Sequence, residues 1–480
     1  MKQVESVKEI KKNNNVSDFT RGNARKQILG FFWPLLMTSM LQQLYNFVDT
    51  MIVGKGLGDN ALAAVGNMGS IFFMVIGFSL GLSNGFGILI AQSFGAKNME
   101  MLRRNIAGTI KLAAGITVIL TVASLTLLPT ALRLLQTDEV IMGDSLLYGY
   151  ILFGGVATSI LYNVTSCMLR SLGDSKTPLK AIVASSLLNL ALDSLFIFVL
   201  HTGVEGAAIA TLIAQVASSI ICIRQLRRIE FIRLKKSDFK NEPKLYVNLL
   251  KNGLPMAFMN SITAIGCMVV QSFVNAYGVA YTGAYSVCGK YINLFMNPAC
   301  TAGNAMSAFT SQNYGARNYE RIREGLRICV SIALIAYVVL GSVMVFFSHS
   351  LATFMLEGSE QIALAEQYFP IAGGMLIFVD LLFVFRSAVQ GLGRPLIPMC
   401  SGILEMIMRI SVIAIFMSSV GFSATAFAEA AAWIAAMLLN LVAFYRILLP
   451  RLKGAAEEEG AGVRSKQRPQ GIRSHARASA

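Results

Sequence analysis

The chain has 480 residues, 55% of them hydrophobic and only 14% charged, with a formal net charge of +15. Soluble domains carry roughly 25% charge, so this composition excludes an ordinary water-soluble globular protein, and the basic surplus has to be read from where it falls. Seven scattered cysteines without a Cys-x-x-Cys pair, and three distant histidines (His201, His349, His475), exclude a disulfide framework or a zinc site.

Residues 1–27 are polar and basic and read as a cytoplasmic N-terminal segment; the apolar run that follows is too long for a signal peptide. A bilayer core of about 30 Å takes about 20 apolar residues of helix. Twelve runs meet that length: 28–53, 61–90, 105–128, 145–169, 181–200, 206–226, 249–276, 284–309, 326–348, 362–389, 396–419 and 424–449. Residues 28–226 therefore form a predicted N-terminal lobe of six helices and 249–449 a C-terminal one. The polar, basic stretch 227–248 reads as a cytoplasmic linker between them. Residues 450–480, with no apolar period beyond 454, read as a disordered cytoplasmic tail. No GxxxxGK[ST] loop is present, so a built-in ATPase is not indicated.

Lysine and arginine decide the topology. Alternate connections, counted from the N terminus, hold 37 of the 41 basic residues, a set that includes Arg386 and Arg394 as the loop after the tenth helix. The opposite side holds only Lys55 and Arg133, while Lys290 and Arg409 fall inside helices. This asymmetry puts both termini in the cytoplasm, with an even number of crossings.

The halves match at an offset of about 220 residues. Asn84, Gln92, Gly95, Ala96, Lys97 and Asn98 correspond to Asn304, Gln312, Gly315, Ala316, Arg317 and Asn318. Leu172-Gly173 and Pro178 correspond to Leu392-Gly393 and Pro398, and Pro34 pairs with Pro255 one residue out of step. Six helices per copy is an even number, so the copies run parallel about an axis along the membrane normal, with substrate expected between them near the midplane. The fold class is thus an all-α polytopic membrane protein of twelve transmembrane helices in two parallel six-helix repeats.

Asp49 within Tyr45-Asn46-Phe47-Val48-Asp49-Thr50-Met51-Ile52-Val53-Gly54, the paired Gln-x-x-Gly-Ala-[Lys/Arg]-Asn loops, Arg170-Ser171-Leu172-Gly173-Asp174 and Asn189-Leu190-Ala191-Leu192-Asp193 resemble the multidrug and toxic-compound extrusion (MATE) family of bacterial type over residues 25–450. The resemblance implies a V-shaped pair of lobes in the bacterial inner membrane and cation-driven export of amphiphilic, often cationic, compounds. It also implies that the family's acids at these two motifs carry the coupling.

Ionisable side chains at membrane depth cost at least about 2.5–3.5 kcal/mol, so each calls for a reason. Asp49 and Asp193 have no basic neighbour within a turn, and Asn189 lies one turn before Asp193 on the same face. Two such carboxyls suit a shared proton; with oxygens such as that of Asn189 they could also hold sodium. Tyr148 and Thr211 match accompanying polar positions of the family, with plain structural hydrogen bonding as the alternative. In the second half Glu405 and Arg409, spaced i, i+4, read as an internal ion pair. Lys290, Asp380, Glu405, Arg409 and Glu429 are the substrate-pathway candidates. Met256 to Gln271 holds no carboxylate, unlike the seventh helix of the family's sodium-coupled branch, which favours a proton over sodium as the coupling ion.

Pro34 is a kink and a candidate hinge in the first helix. Gly77, Gly81 and Gly85 read as close helix packing. The reading that results is a secondary drug antiporter, most simply a monomer, with small-molecule substrates, lipid contacts, no cofactor, no structural metal and no nucleic-acid partner. The rivals are a lipid-linked oligosaccharide flippase, which would want a more cationic cavity, and a membrane-embedded enzyme, for which no nucleophile–base or metal constellation is present.

Overall fold

In the computed structural model, which describes the backbone of residues 16–135 and 137–466, all regular elements are helices. The first half comprises α1 (Ala24–Leu57), α2 (Asp59–Gly95), α3 (Met99–Leu134), α4 (Glu139–Gly154), α5 (Val156–Ser171), α6 (Lys176–Ser194) and α7 (Val204–Arg228). A π-helical turn, Leu195–Val199, prolongs α6. The second half comprises α8 (Pro243–Asn275), α9 (Val279–Phe295), α10 (Asn297–Gly315), α11 (Tyr319–Phe346), the short α12 (Ser348–Met355), α13 (Ser359–Gly391), α14 (Leu396–Val420) and α15 (Ser423–Lys466).

Among the described residues nine helices are long and apolar enough to cross a membrane, and α4 with α5 makes a tenth, bent by 46°. The 34-residue α1 and the α9–α10 pair, which carry polar side chains along their length, complete twelve segments. A chain so built is an integral membrane protein. Two runs that the sequence reading treats as single helices are broken. The 145–169 run is divided at Gly154-Gly155, where two glycines weaken the helix, and the 284–309 run is interrupted at Met296, just before Asn297-Pro298.

Two more expectations are corrected. Arg386, which falls in the 362–389 run but is counted with the basic connection after it, lies inside α13, because the helix runs on to Gly391. The tail reading fails over its first part, since α15 continues through Lys466; 467–480, like 1–15, lie outside the described residues. The stretch read as a linker is ordered. Its two 3-10 turns are pinned by Phe231 stacked on Phe94 and by an Arg103–Asp238 ion pair at 3.4 Å, and its end before α8 by Arg104–Glu242 at 3.1 Å.

The repeated Gln-x-x-Gly-Ala-[Lys/Arg]-Asn loops have a local physical cause. Lys97 and Arg317 both sit at φ +58°, a left-handed turn that ends one helix. Asn98 and Asn318 then cap the next, accepting from Met101 N–H and Arg321 N–H. The four basic connections other than the linker are all tight turns, with Gly173 and Gly393 in the left-handed conformation at the other two, at one face of the bundle, which also carries the start of α1.

At this basic face the halves meet. Gly95 and Gly315 face each other's repeat so closely that a Cβ on either would fall 1.8 Å from the Gln312 carbonyl oxygen or 1.9 Å from that of Gln92. The Gln92 amide donates to the Gly391 carbonyl and that of Gln312 to the Ser171 carbonyl, both at 3.0 Å, a near-symmetric pair across the seam. Gly81 and Gly85 of the glycine ladder bring α2 against the α8 backbone, with virtual Cβ positions 2.6 and 2.4 Å from it; a Cβ on Gly77 would meet nothing within 4 Å, while its carbonyl accepts from Asn260 Nδ2 of α8 at 3.0 Å. Backbone-to-backbone packing therefore holds at Gly81 and Gly85, while Gly77 meets α8 through the Asn260 side chain.

Candidate functional site

The helix α1 changes sides along its length. From Ala24 to Leu36 it is buried in a cluster with Ala299, Met306, Phe309 and Phe385 of the second half. Beyond Pro34, where Thr38 Oγ1 donates to the Pro34 carbonyl at 2.7 Å, its second half is largely exposed, and Val53 packs into the first half with Met68, Tyr148 and Ile197. This outer stretch presents Asp49 to α6.

Asp193 is fully buried near the end of α6, two residues before the π-turn. Such turns commonly accompany functional positions because they re-aim a side chain. Neither of its carboxyl oxygens has a hydrogen-bond partner among the described residues, and the same holds for Oδ1 of Asp49. The two carboxyl groups lie close enough to interact directly. Tyr45 and Tyr148 are within electrostatic reach of both acids. Asn189, 1% exposed, has neither its amide nitrogen nor its oxygen satisfied. The Thr211 hydroxyl donates to Ala207 O at 3.0 Å on its own helix and sits near Tyr45. The residues singled out from sequence, Asp49, Tyr148, Asn189, Asp193 and Thr211, therefore share one neighbourhood formed by α1, α4, α6 and α7. Tyr45 belongs with them, and its position one turn before Asp49 is the signal that could have found it.

Unpaired buried polar atoms are rare, because each costs about 1–3 kcal/mol when left without a partner. Among the described residues such atoms occur elsewhere too, but here five of them, on two acids and an amide, fall in one neighbourhood, and no base acts on either carboxyl. Such a cluster is built to bind something positive. Two carboxyls and an amide oxygen are hard ligands that accept a proton or a sodium ion.

The second half is wired differently. Arg386 bonds Glu405, whose other oxygen lies 3.7 Å from Arg409, and Arg409 bonds Glu429 at 2.9 Å through Nη2 and 3.0 Å through Nε. The expected Glu405–Arg409 pair is therefore one link in a buried chain of two acids and two bases. Arg386 was missed because its partner is on the neighbouring helix α14, out of reach of spacing arguments. Asp380 stands apart, 1% exposed and with both oxygens unpartnered among the described residues. Lys290 is exposed on α9 and joins none of these groups. Among the described residues no group of three His, Cys, Asp or Glu is set to hold a metal ion.

A third set of contacts closes the basic face. Residues 16–22 cross the seam ahead of α1. Ser17 N–H donates to Leu172 O at 3.2 Å and Asp18 pairs with Lys97 at 2.6 Å, both in the first half. Phe19 N–H donates to Gln312 Oε1 at 2.9 Å, while its carbonyl accepts from Arg321 Nε at 2.7 Å and Asn313 Nδ2 at 3.2 Å, all in the second half. Burial opposes the charge on Asp18, but the Lys97 ammonium and Thr20 outweigh it and hold the carboxyl below its usual pKa. Nothing in the composition of 1–27 signalled this strap, since its grip comes from backbone groups.

The MatE family model matches residues 34–195 and 255–415, two stretches 221 residues apart at their starts, in line with the internal repeat. The chain is 32% identical over 345 residues to the "Probable multidrug resistance protein YoeA" of Bacillus subtilis (strain 168), a match covering 70% of this chain and 74% of that protein. It is 25% identical to the "Probable multidrug resistance protein NorM" of Thermotoga maritima, over 78% of this chain and 82% of that one. Among solved structures, one described as the "Outward-facing conformation of a multidrug resistance MATE family transporter of the MOP superfamily" superposes with a TM-score of 0.85 at 22% identity, covering 92% of this chain and 99% of the other.

Proposed function

The chain belongs to the MatE family of transporters, and on that premise we propose that it is a secondary active exporter of amphiphilic, often cationic, organic compounds, driven by proton antiport. The observation that carries the proposal is the cluster of Asp49, Asp193 and Asn189: among the described residues Asp49 Oδ1, both Asp193 oxygens and both polar atoms of the Asn189 amide lack a hydrogen-bond partner, and no base acts on either acid. The names of relatives such as YoeA support export of drugs as the activity.

In this reading the basic face is cytoplasmic, as its excess of lysine and arginine suggests, and the chain works as a monomer in the inner membrane. With that face sealed by residues 16–22 and the Gln92–Gln312 seam, the state at hand is closed towards the cytoplasm. A proton taken up from outside lowers the negative charge of the Asp49–Asp193 pair. The outer part of α1 then has no reason to keep its separation from α6, and it repacks, with Pro34 as the point where the helix gives. A cationic compound held by the same acids loses its counter-charge and leaves. Coupling follows because cation and substrate favour different states of the same pair.

A proton needs only one desolvated acid, whereas sodium wants several oxygens in a cage; the lack of any carboxylate between Met256 and Gln271 favours the proton. The flippase alternative is weakened by the pairing of Arg386 and Arg409 with Glu405 and Glu429, which leaves Lys290 as the one basic candidate outside an ion pair. The test is efflux of a cationic dye from proteoliposomes at fixed membrane potential. The proposal expects transport under a pH gradient without sodium; transport only under a sodium gradient would replace the proton, and none under either would remove the antiport reading.

A further inference from the structure

Between α3, α5 and the end of α7 runs a groove of about 1130 Å³, crossed at one end by the linker residues Ile232 to Leu234. It is separate from the Asp49–Asp193 cluster. Its lining extends from Ile106 to Thr117 on α3 and from Ala157 to Met168 on α5. At 1.5 Å per residue each wall is about 17 Å long, close to half of a hydrocarbon core of about 30 Å. The groove thus has the depth of one leaflet and opens beside Ile110 and Leu161, which are 41% and 45% exposed.

Its walls offer nothing polar to a ligand. The two hydroxyls in them, Thr117 and Thr165, each donate at 2.7 Å to a carbonyl of their own helix, Ala113 and Leu161. The mouth is the opposite: Arg227, Arg228 and Arg233 stand there with one acid, Glu230, and all four are exposed. Among the described residues none of these arginines has an ion-pair partner, whereas neighbouring Arg103 and Arg104 are engaged by Asp238, Glu100 and Glu242. Three guanidinium groups at the rim of a dry groove one leaflet deep match one kind of molecule, with an anionic phosphate at one end and long apolar chains at the other. The volume exceeds the roughly 300–1,000 Å³ of sites for drug-sized ligands, and a cationic export substrate would meet three like charges on entry.

We propose that this groove is a binding site for an anionic phospholipid, its acyl chains lying along α3 and α5 and its phosphate held by Arg227, Arg228 and Arg233. The bound lipid joins α3, α5 and α7 to the linker that connects the halves. The inference is independent of the transport reading and stands if that reading fails.

The purified full chain with Leu161→Trp as a reporter, in mixed micelles, reads the site through quenching by bromine-labelled phosphatidylglycerol or phosphatidylcholine, after subtraction of the parent protein's own signal. Each arginine is worth about a fivefold preference for an anionic lipid, so phosphatidylglycerol is expected to associate at least about tenfold more tightly. In the Arg227→Ala/Arg228→Ala/Arg233→Ala variant the ratio should fall to within about twofold of unity. If that variant does not fold, Arg233→Glu alone should cut the preference severalfold. Equal quenching by both lipids, a preference that survives loss of the arginines, or displacement of the lipid by a cationic dye would each overturn the site.

Discussion

The two halves share a fold and a repeat, yet their buried charges are arranged in opposite ways. In the first half the acids Asp49 and Asp193 stand together with no base to answer them. In the second, Arg386, Glu405, Arg409 and Glu429 alternate in sign and bond in sequence. The first arrangement is incomplete without a cation and can change state when one arrives. The second is satisfied as it stands and holds α13, α14 and α15 together. Duplication supplied two copies of a scaffold, and the difference in counter-charge makes one the responsive part and the other its frame. Asp380 is the exception that keeps the contrast from being total.

The contrast breaks most visibly at the acids. We expect Asp193→Asn or Asp49→Asn to reduce gradient-driven efflux to the level of empty vesicles, with unchanged insertion and thermal stability. Normal efflux by either variant at matched expression would place the coupling elsewhere. Asp380→Asn should leave efflux largely intact; a loss equal to that of Asp193→Asn would make the second half responsive too.

In the second half the larger response should be in stability. Removing one member of a buried pair leaves the other uncompensated, at a cost of about 3–5 kcal/mol. Arg409→Met should therefore lower the unfolding temperature sharply, and the double variant Arg409→Met/Glu429→Leu should recover most of it. Thermal unfolding in detergent checks this; a double variant no better than the single would mean that the charges do more than hold helices.

Between the halves, Gly95→Ala and Gly315→Ala place a methyl group on the opposing Gln312 or Gln92 carbonyl. Overpacking of this kind costs about 1–3 kcal/mol, here paid only when the basic face is closed, so cysteines placed along the seam should label faster. Unchanged labelling would show that the helices can part without opening the face.

The strap should give the smallest effect. Asp18→Asn removes one partly buried ion pair, worth about 1 kcal/mol. Because the Asp18 carboxyl is held below its usual pKa, its contribution is present above the unfolded carboxylate range and is lost only as pH falls through the folded value. The difference in seam labelling between wild type and Asp18→Asn should therefore stay constant across the neutral range. A difference that vanishes on mild acidification would mean that another group closes the face.

Much of this was legible in the sequence. Apolar length gave the segments, and the Gln-x-x-Gly-Ala repeat foretold two copies meeting at one face, because a left-handed residue and an Asn cap need a fixed pattern. Asp49, Asn189 and Asp193 could be found because an acid in an apolar run has few innocent explanations. What escaped was made by neighbours distant in sequence: the Arg386–Glu405 link, the strap's backbone bonds to Gln312 and Arg321, and the crossing of α1 from one half to the other. The break of the fourth segment was written in Gly154-Gly155, but two glycines in an apolar run do not say whether the neighbouring helices enforce a bend.

The central claim is that the acids of the first half carry the cation that substrate displaces. Adding a transported cation to the purified protein in weakly buffered detergent solution measures this directly. Wild type and Arg409→Met/Glu429→Leu should release protons on binding, and Asp193→Asn should release none. Release that persists in Asp193→Asn but disappears in Asp380→Asn would contradict the account and move the coupling site to the second half.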